Sequence, residues 1–369
     1  MLNWLVSHSG NQYYFFLSER LLHWIREHRI QLDERIHLTL YNDRDTAPAE
    51  PADSGFIKPG IGKPWIRKLM PDRIKYIRSV LRLYRPVGRW AKVNQPDIVH
   101  GWHGSSDLLL LLKFFQHRKT VYSITSSYAK ICTPLKWIGN FSYRSVFRFT
   151  DTVEFLSGDI VRLYREKGAR IRESAVAVAP CSFIDYSKTA IGHKRNLITF
   201  LAARFEPEKN APLVVETGNL LVRKHGLRDL HFRMMGGYQD ESRIKRLIGE
   251  YRLEEFFTVA REDHPERYLA ESLVFLSLQD LNNYPSQALL EAMACGCAVI
   301  ATDSGETRLL VNDRVGFLVG KDPAEIAGRI LFLLQNREKA LAMGREARNQ
   351  VMANHSVTRY GQYVLSLYN

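Results

Sequence analysis

The chain has 369 residues, of which 45% are hydrophobic and 25% charged, and its formal net charge is +13. That length exceeds one ordinary core and suits two domains of roughly 150–200 residues each, while the composition excludes a mostly disordered or repetitive fibrous chain. The positive excess asks for an anionic partner, whether nucleic acid, anionic lipid or a phosphorylated substrate.

From the amino end, short apolar runs alternate with longer amphipathic ones, the pattern of α/β layering around parallel sheets. In the first half, strands are predicted at 2–7, 36–41, 97–102, 119–124, 152–156 and 174–179, with helices at 11–28, 73–93, 105–116 and 158–168. In the second half, strands are predicted at 196–202, 231–235, 256–260, 272–278 and 297–301. Helices are expected near 208–225, 241–251, 286–295, 323–335 and 337–353. Two such series imply two sheets, with a seam in the polar stretch 185–195, where apolar periodicity lapses. Residues 43–64 hold several Pro and Gly without period and read as a loop.

No secretory signal is expected, because Leu2, Trp4, Leu5 and Val6 give way to Ser7-His8-Ser9-Gly10 before an apolar stretch can develop. The leucine run 108–112 stops at Lys113, far short of the ~20 apolar residues of a spanning helix. The four cysteines, Cys132, Cys181, Cys295 and Cys297, are scattered and have no zinc spacing with histidine. A reducing compartment and no bound metal are therefore expected.

Two stretches carry the chemistry. After the strand 272–278 comes Asn282-Asn283-Tyr284-Pro285-Ser286-Gln287-Ala288-Leu289-Leu290-Glu291, with Pro285 and Ser286 as helix-start signals and Gly296 as the stop. A helix starting there presents free amides at the carboxyl edge of a parallel sheet, where anions bind. Glu291, flanked by Leu290 and Ala292, is either a solvated or salt-bridged helical acid or one satisfied by paired ribose hydroxyls. After the strand 196–202 comes Ala203-Arg204-Phe205-Glu206-Pro207-Glu208-Lys209. Arg204 and Lys209 in that loop are either ordinary surface cations or the clamp of a diphosphate.

With these motifs the sequence resembles the retaining glycosyltransferase family four, the group 1 type of polysaccharide and glycolipid biosynthesis. The likeness is strongest over about 195–320. Members carry an Arg and a Lys five residues apart, matched by Arg204 and Lys209, and a Leu-Glu-Ala-Met-Ala-like run, matched from Leu290 to Gly296. Asp303-Ser304-Gly305-Glu306 also resembles the family's turn. The resemblance implies a GT-B fold, α/β, with two Rossmann-like domains facing across a cleft. Their expected bounds are 1–190 for the acceptor domain and 191–353 for the nucleotide-sugar domain, with a helix in 354–369 packing back on the first.

By the same resemblance, Glu291 holds the ribose, Arg204 and Lys209 neutralise the diphosphate, and amides near Ser286 and Gln287 complete the phosphate site. The family's first glutamate is absent, and Asn283 stands there, able to hydrogen-bond a sugar hydroxyl but bringing no charge. Gly10, after the first predicted strand, fits either backbone approach to a phosphate or a plain turn. The histidine that members place after the strand 119–124 is also absent. His103, at the end of the strand 97–102, is the candidate for contact with donor sugar or acceptor, against a structural role.

Between Phe56 and Val93 stand eleven Lys or Arg and one acid, Asp72. Lys75, Arg78, Arg82, Arg85, Arg89 and Lys92 recur at steps of three and four, giving helix 73–93 a cationic stripe kinked at Pro86 and flanked by Trp65 and Trp90. It reads either as a solvated basic face or as a surface for anionic membrane. No nucleic-acid motif accompanies it.

The activity that the family resemblance implies is transfer of a sugar, with retention and without metal or cofactor, from a nucleotide-diphosphate sugar of UDP type to a glycan or lipid-linked acceptor. The expected place is the cytoplasmic face of the membrane. Rival readings are a sugar-nucleotide epimerase of the same architecture, which would turn over donor alone, and a non-catalytic basic adaptor for membrane or nucleic acid.

Overall fold

A computed structural model describes residues 13–17, 36–40, 84–85, 87–102, 106–124, 145–182, 184–202, 205, 207–236 and 241–369. For 13–17, 36–40, 102 and 106–108 only the backbone is described. The chain divides into two compact units. One comprises Met1–Phe155, Val161–Val178 and Gly361–Asn369; the other comprises Leu156–Ile160 and Ala179–Tyr360.

In the first unit, β1 (Tyr13–Leu17) and β2 (Ile36–Leu40) form a parallel pair. A helix over 87–94, α1, precedes β3 (Ile98–Trp102). Then follow α2 (Ser106–Gln116), β4 (Lys119–Ile124), a short helix α3 over 145–149, β5 (Thr152–Phe155), α4 (Gly158–Glu166), whose first three residues belong to the second unit, and β6 (Val176–Val178). The sheet is parallel in the order β3-β4-β5-β6.

The helix expected over 11–28 is corrected at its start, where Tyr13-Tyr14-Phe15-Phe16-Leu17 is strand. Five consecutive apolar residues carry no period, and their aromatic rings favour the extended chain over the helix. The strand expected at 2–7, most of the stripe 73–93 and its kink at Pro86 lie outside the described residues.

The second unit holds β7 (Arg195–Ala202), α5 (Ala211–Asn219), β8 (His231–Gly236), α6 (Glu241–Glu250), β9 (Phe257–Ala260), α7 (Glu266–Glu271) and β10 (Ser272–Ser277). After these come α8 (Gln287–Ala294), β11 (Ala298–Thr302), β12 (Gly316–Val319), α9 (Pro323–Gln335) and α10 (Arg337–Asn354). A last helix, α11 (Val357–Tyr368), begins in this unit and ends in the first. Strands β10 and β11 are buried along their whole length, as parallel strands covered on both faces must be. Two hydrophobic clusters flank the sheet, one around Ile198, Phe232, Val274 and Ile330, the other around Phe275, Leu290, Val299 and Ala347.

All six strands run parallel in the order β12-β11-β10-β7-β8-β9. Counted from β7, this is the doubly wound order 3-2-1-4-5-6. The direction of winding reverses between β7 and β10. A crevice opens outside the carboxyl ends of two such strands, because their following helices leave to opposite faces.

Candidate functional site

The loops that leave β7 and β10 meet at this reversal. Asn210 sits in left-handed backbone (φ 52) before α5, a conformation that Asn tolerates better than most residues. Its Nδ2 donates to the Leu278 carbonyl at 2.9 Å and to Asp280 Oδ1 at 2.6 Å, and the Asp280 amide donates to the Glu208 carbonyl at 2.9 Å. Lys321 Nζ lies 3.1 Å from Asp280 Oδ1. The hydrogen bond from Asn210, and after it Lys321, hold the Asp280 carboxyl below its ordinary pKa. From the other side, Thr302 Oγ1 and Ser304 Oγ, at the end of β11, donate to the Gln279 carbonyl at 2.6 and 3.1 Å. Three carboxyl-edge loops are thereby tied together.

Within that frame, Lys209 Nζ donates to Gln279 Oε1, and Gln279 Nε2 donates to Asn283 Oδ1. Asn283 Nδ2 in turn donates to Ser277 Oγ at 2.8 Å. Gln279 and Asn283 are buried, and their side-chain amides bond each other. Asn283 therefore belongs to the interior of the loop. Of its hydrogen-bonding groups, one N–H and one lone pair remain beyond these bonds.

Helix α8 starts where Pro285 and Ser286 predict. Ser286 is its N-cap, its Oγ accepting from the Leu289 amide at 3.4 Å, and the Leu290 amide reaches the Ser286 carbonyl at 3.0 Å. The amides of Gln287 and Ala288 are left with no partner inside the helix, which gives the start of α8 its affinity for an anion. Glu291 lies one turn on from Gln287 and on the same face. It is half-buried, and no described residue donates a hydrogen bond to its carboxylate. Burial chiefly, and then the charge of Glu266, raise its pKa above the ordinary glutamate value.

The turn after β11 closes the edge. Gly305 has φ +54, and a Cβ there would meet Asp159 Oδ2 at 2.6 Å and Asn282 Cβ at 2.7 Å, so glycine is required on both counts. Asn282 Oδ1 accepts from the amides of Tyr284 (3.1 Å) and Glu306 (3.0 Å), joining the β10 and β11 loops.

The structure joins Lys209 and Asn283 through Gln279, and places Ser286, Gln287 and Glu291 at the cap and in the first turns of the helix that follows the β10 loop. Arg204, Gly10 and His103 lie outside the described residues. His100 occupies β3 with both ring nitrogens engaged, Nδ1 with Tyr368 Oη at 2.8 Å and Nε2 with Ser123 Oγ at 2.6 Å. Burial lowers its pKa to about 4, which keeps it neutral. Sequence reasoning missed Gln279 and Asn210. Each is a polar residue within a few positions of a buried strand end, a signal too common to single them out.

A doubly wound parallel sheet with a cation and a capped helix at its reversal is an architecture that receives nucleotides in other proteins. Residues 184–350 match the family described as glycosyl transferases group 1. The fold is GT-B. A glycosyltransferase from Rickettsia africae ESF-5 superposes with a TM-score of 0.70 at 16% identity, covering 100% of this chain and 92% of that one. The Anabaena protein HepE, crystallised with UDP-glucose, gives 0.66 at 14% identity over 95% and 90%. In sequence, the poly(ribitol-phosphate) alpha-N-acetylglucosaminyltransferase of Staphylococcus aureus (strain COL) is 25% identical over 173 residues, 45% of this chain. That chain is the longer, and the match spans 34% of its length.

Proposed function

We propose that the protein is a retaining, metal-independent glycosyltransferase that moves a sugar from a nucleotide-diphosphate donor of UDP type to a glycan or lipid-linked acceptor at a membrane surface. The observation that carries this reading is the Lys209 ammonium, held by Gln279 at the point where β7 and β10 diverge. An ammonium at that crevice, near a helix start, faces the place where a parallel sheet receives phosphates.

In this reading Lys209, Arg204 and the first amides of α8 stabilise the negative charge that grows on the diphosphate as the glycosidic bond loosens. A donor phosphate oxygen accepts the acceptor's proton from the front face, so no protein nucleophile is required. Glu291 accepts the ribose hydroxyls. Asn283, buried and already bonded to Gln279 and Ser277, acts on the donor sugar mainly by fixing the loop that carries Gln279. HepE was crystallised with UDP-glucose and the Staphylococcus relative is named for transfer of N-acetylglucosamine, which supports a uridine donor here. The basic stripe 73–93 supports an acceptor presented at an anionic surface.

A panel of nucleotide sugars, read by thermal stabilisation of the purified protein and then by product analysis with acceptors, tests the proposal. The expected result is stabilisation by UDP-linked sugars and an α-linked product from an α-linked donor. Epimerised donor in the absence of acceptor, or no nucleotide response at all, would overturn it.

A further inference from the structure

The first unit carries an aromatic surface that the catalytic reading does not use. Helix α2 spends Leu109, Leu110 and Leu112 on the core, and its end leaves Phe114 and Phe115 outside, 52% and 69% exposed. In α3, Val146 and Phe147 are fully buried while Phe149, 39% exposed, points outward. Phe114 and Phe149 meet edge to face at 5.2 Å, and Phe115 lies 6.0 Å from the Tyr84 ring. Three large apolar side chains left together in water are costly, and such a patch marks a surface that something covers.

The support beneath the patch is firm. Val87, Ala91 and Leu112 form a buried cluster, and Gln116 Nε2 donates to the Gly88 carbonyl at 2.7 Å, locking α1 to α2. Phe147 packs against Tyr122, Phe155 and Tyr164.

The surroundings identify the occupant. The stretches 84–94, 114–119 and 145–149 contain Arg85, Arg89, Lys92, Arg118, Lys119 and Arg148 and no acid, and the nearby Asp151 is paired with Lys113 at 2.5 Å. Arg89 and Lys92 of α1 are exposed together with Val93, as is Arg85 just before it, and the Arg148 guanidinium stands 5.4 Å from the Phe149 ring centroid. Exposed apolar rings beside cations match a bilayer interface, with anionic headgroups outside and acyl chains beneath.

We infer that Phe114, Phe115 and Phe149 insert into the interface of an anionic membrane while Arg85, Arg89, Lys92 and Arg148 hold its headgroups. This rests on the membrane-borne acceptor proposed above and gives it an insertion site of its own, distinct from electrostatic adsorption. The experiment is sedimentation of the full-length protein with vesicles of phosphatidylcholine, with and without phosphatidylglycerol. The wild type is compared with a Phe114→Ser/Phe115→Ser variant, and Phe115→Trp is read for an emission blue shift against wild type.

The expected result is binding to the anionic vesicles that falls at least ten-fold in the double serine variant, with a blue shift for Phe115→Trp. Equal binding by wild type and variant, an unshifted emission, or no vesicle binding by wild type would each overturn the inference. Thermal stabilisation by UDP, measured on the same samples, separates failure of this surface from failure of the transferase reading, since both exposed rings lie in the unit that does not contain Lys209.

Discussion

Glu291 is the residue at which stability and binding pull in opposite directions. Its pKa is raised in the folded protein, chiefly by burial, so the folded state holds the proton more tightly than the unfolded chain. Stability is then fully present below the unfolded value and is lost as pH rises through the folded one, leaving a cost at neutral pH. Donor hydroxyls from a ribose would offset that cost. Glu291→Gln should therefore raise the melting temperature of the free protein by about 1–3 °C and weaken UDP binding roughly ten-fold. Scanning calorimetry with and without UDP reads both effects. A lower melting temperature with unchanged affinity would assign the acid to structure.

The positions of two edge residues were legible in the sequence. Ser286 caps the helix that Pro285-Ser286 announced, and Lys209 stands after the first strand of its sheet. Gln279 was not legible, because its importance comes from a side-chain bond to a residue 70 positions away. The interior position of Asn283 was hidden for the same reason: an asparagine in a loop reads as solvated until Ser277 and Gln279 are seen around it.

Among the elements, close backbone approaches decide which glycines matter. A Cβ on Gly344 of α10 would meet the Gly296 carbonyl oxygen at 2.1 Å, backbone against backbone, whereas one on Gly328 of α9 meets nothing within 4 Å. Gly344→Ala should destabilise by roughly 2–4 kcal/mol, and Gly328→Ala should stabilise by up to about 1 kcal/mol through helix propensity. Chemical denaturation of the two variants checks the opposite signs. Equal effects would mean that α10 does not pack on the turn after α8 as described.

The elements that sequence reading missed share a cause. Strand β12 has four residues and α7 six, too few for a period to emerge. Strand β12 also begins at Gly316, a residue that argues against strand by propensity. Glycine stands there because a Cβ would fall 1.9 Å from the Val299 carbonyl oxygen of the neighbouring β11.

For the molecule as a whole, alternation of strands and helices was enough to indicate two α/β units, and a family resemblance was enough to suggest GT-B. The position of the reversal was not readable. Chain order lists the strands but not their neighbours, and only the pairing of β7 with β10 shows which two loops flank the crevice. None of the described helices is long and apolar enough to cross a membrane.

The central claim is that this crevice grips a diphosphate. Isothermal titration of UDP and of uridine into wild type and Lys209→Ala tests it most directly, because the two ligands differ only in the group the ammonium is said to hold. The account predicts that the substitution weakens UDP binding by roughly ten-fold or more and leaves uridine unchanged. UDP bound equally well by both proteins would contradict it.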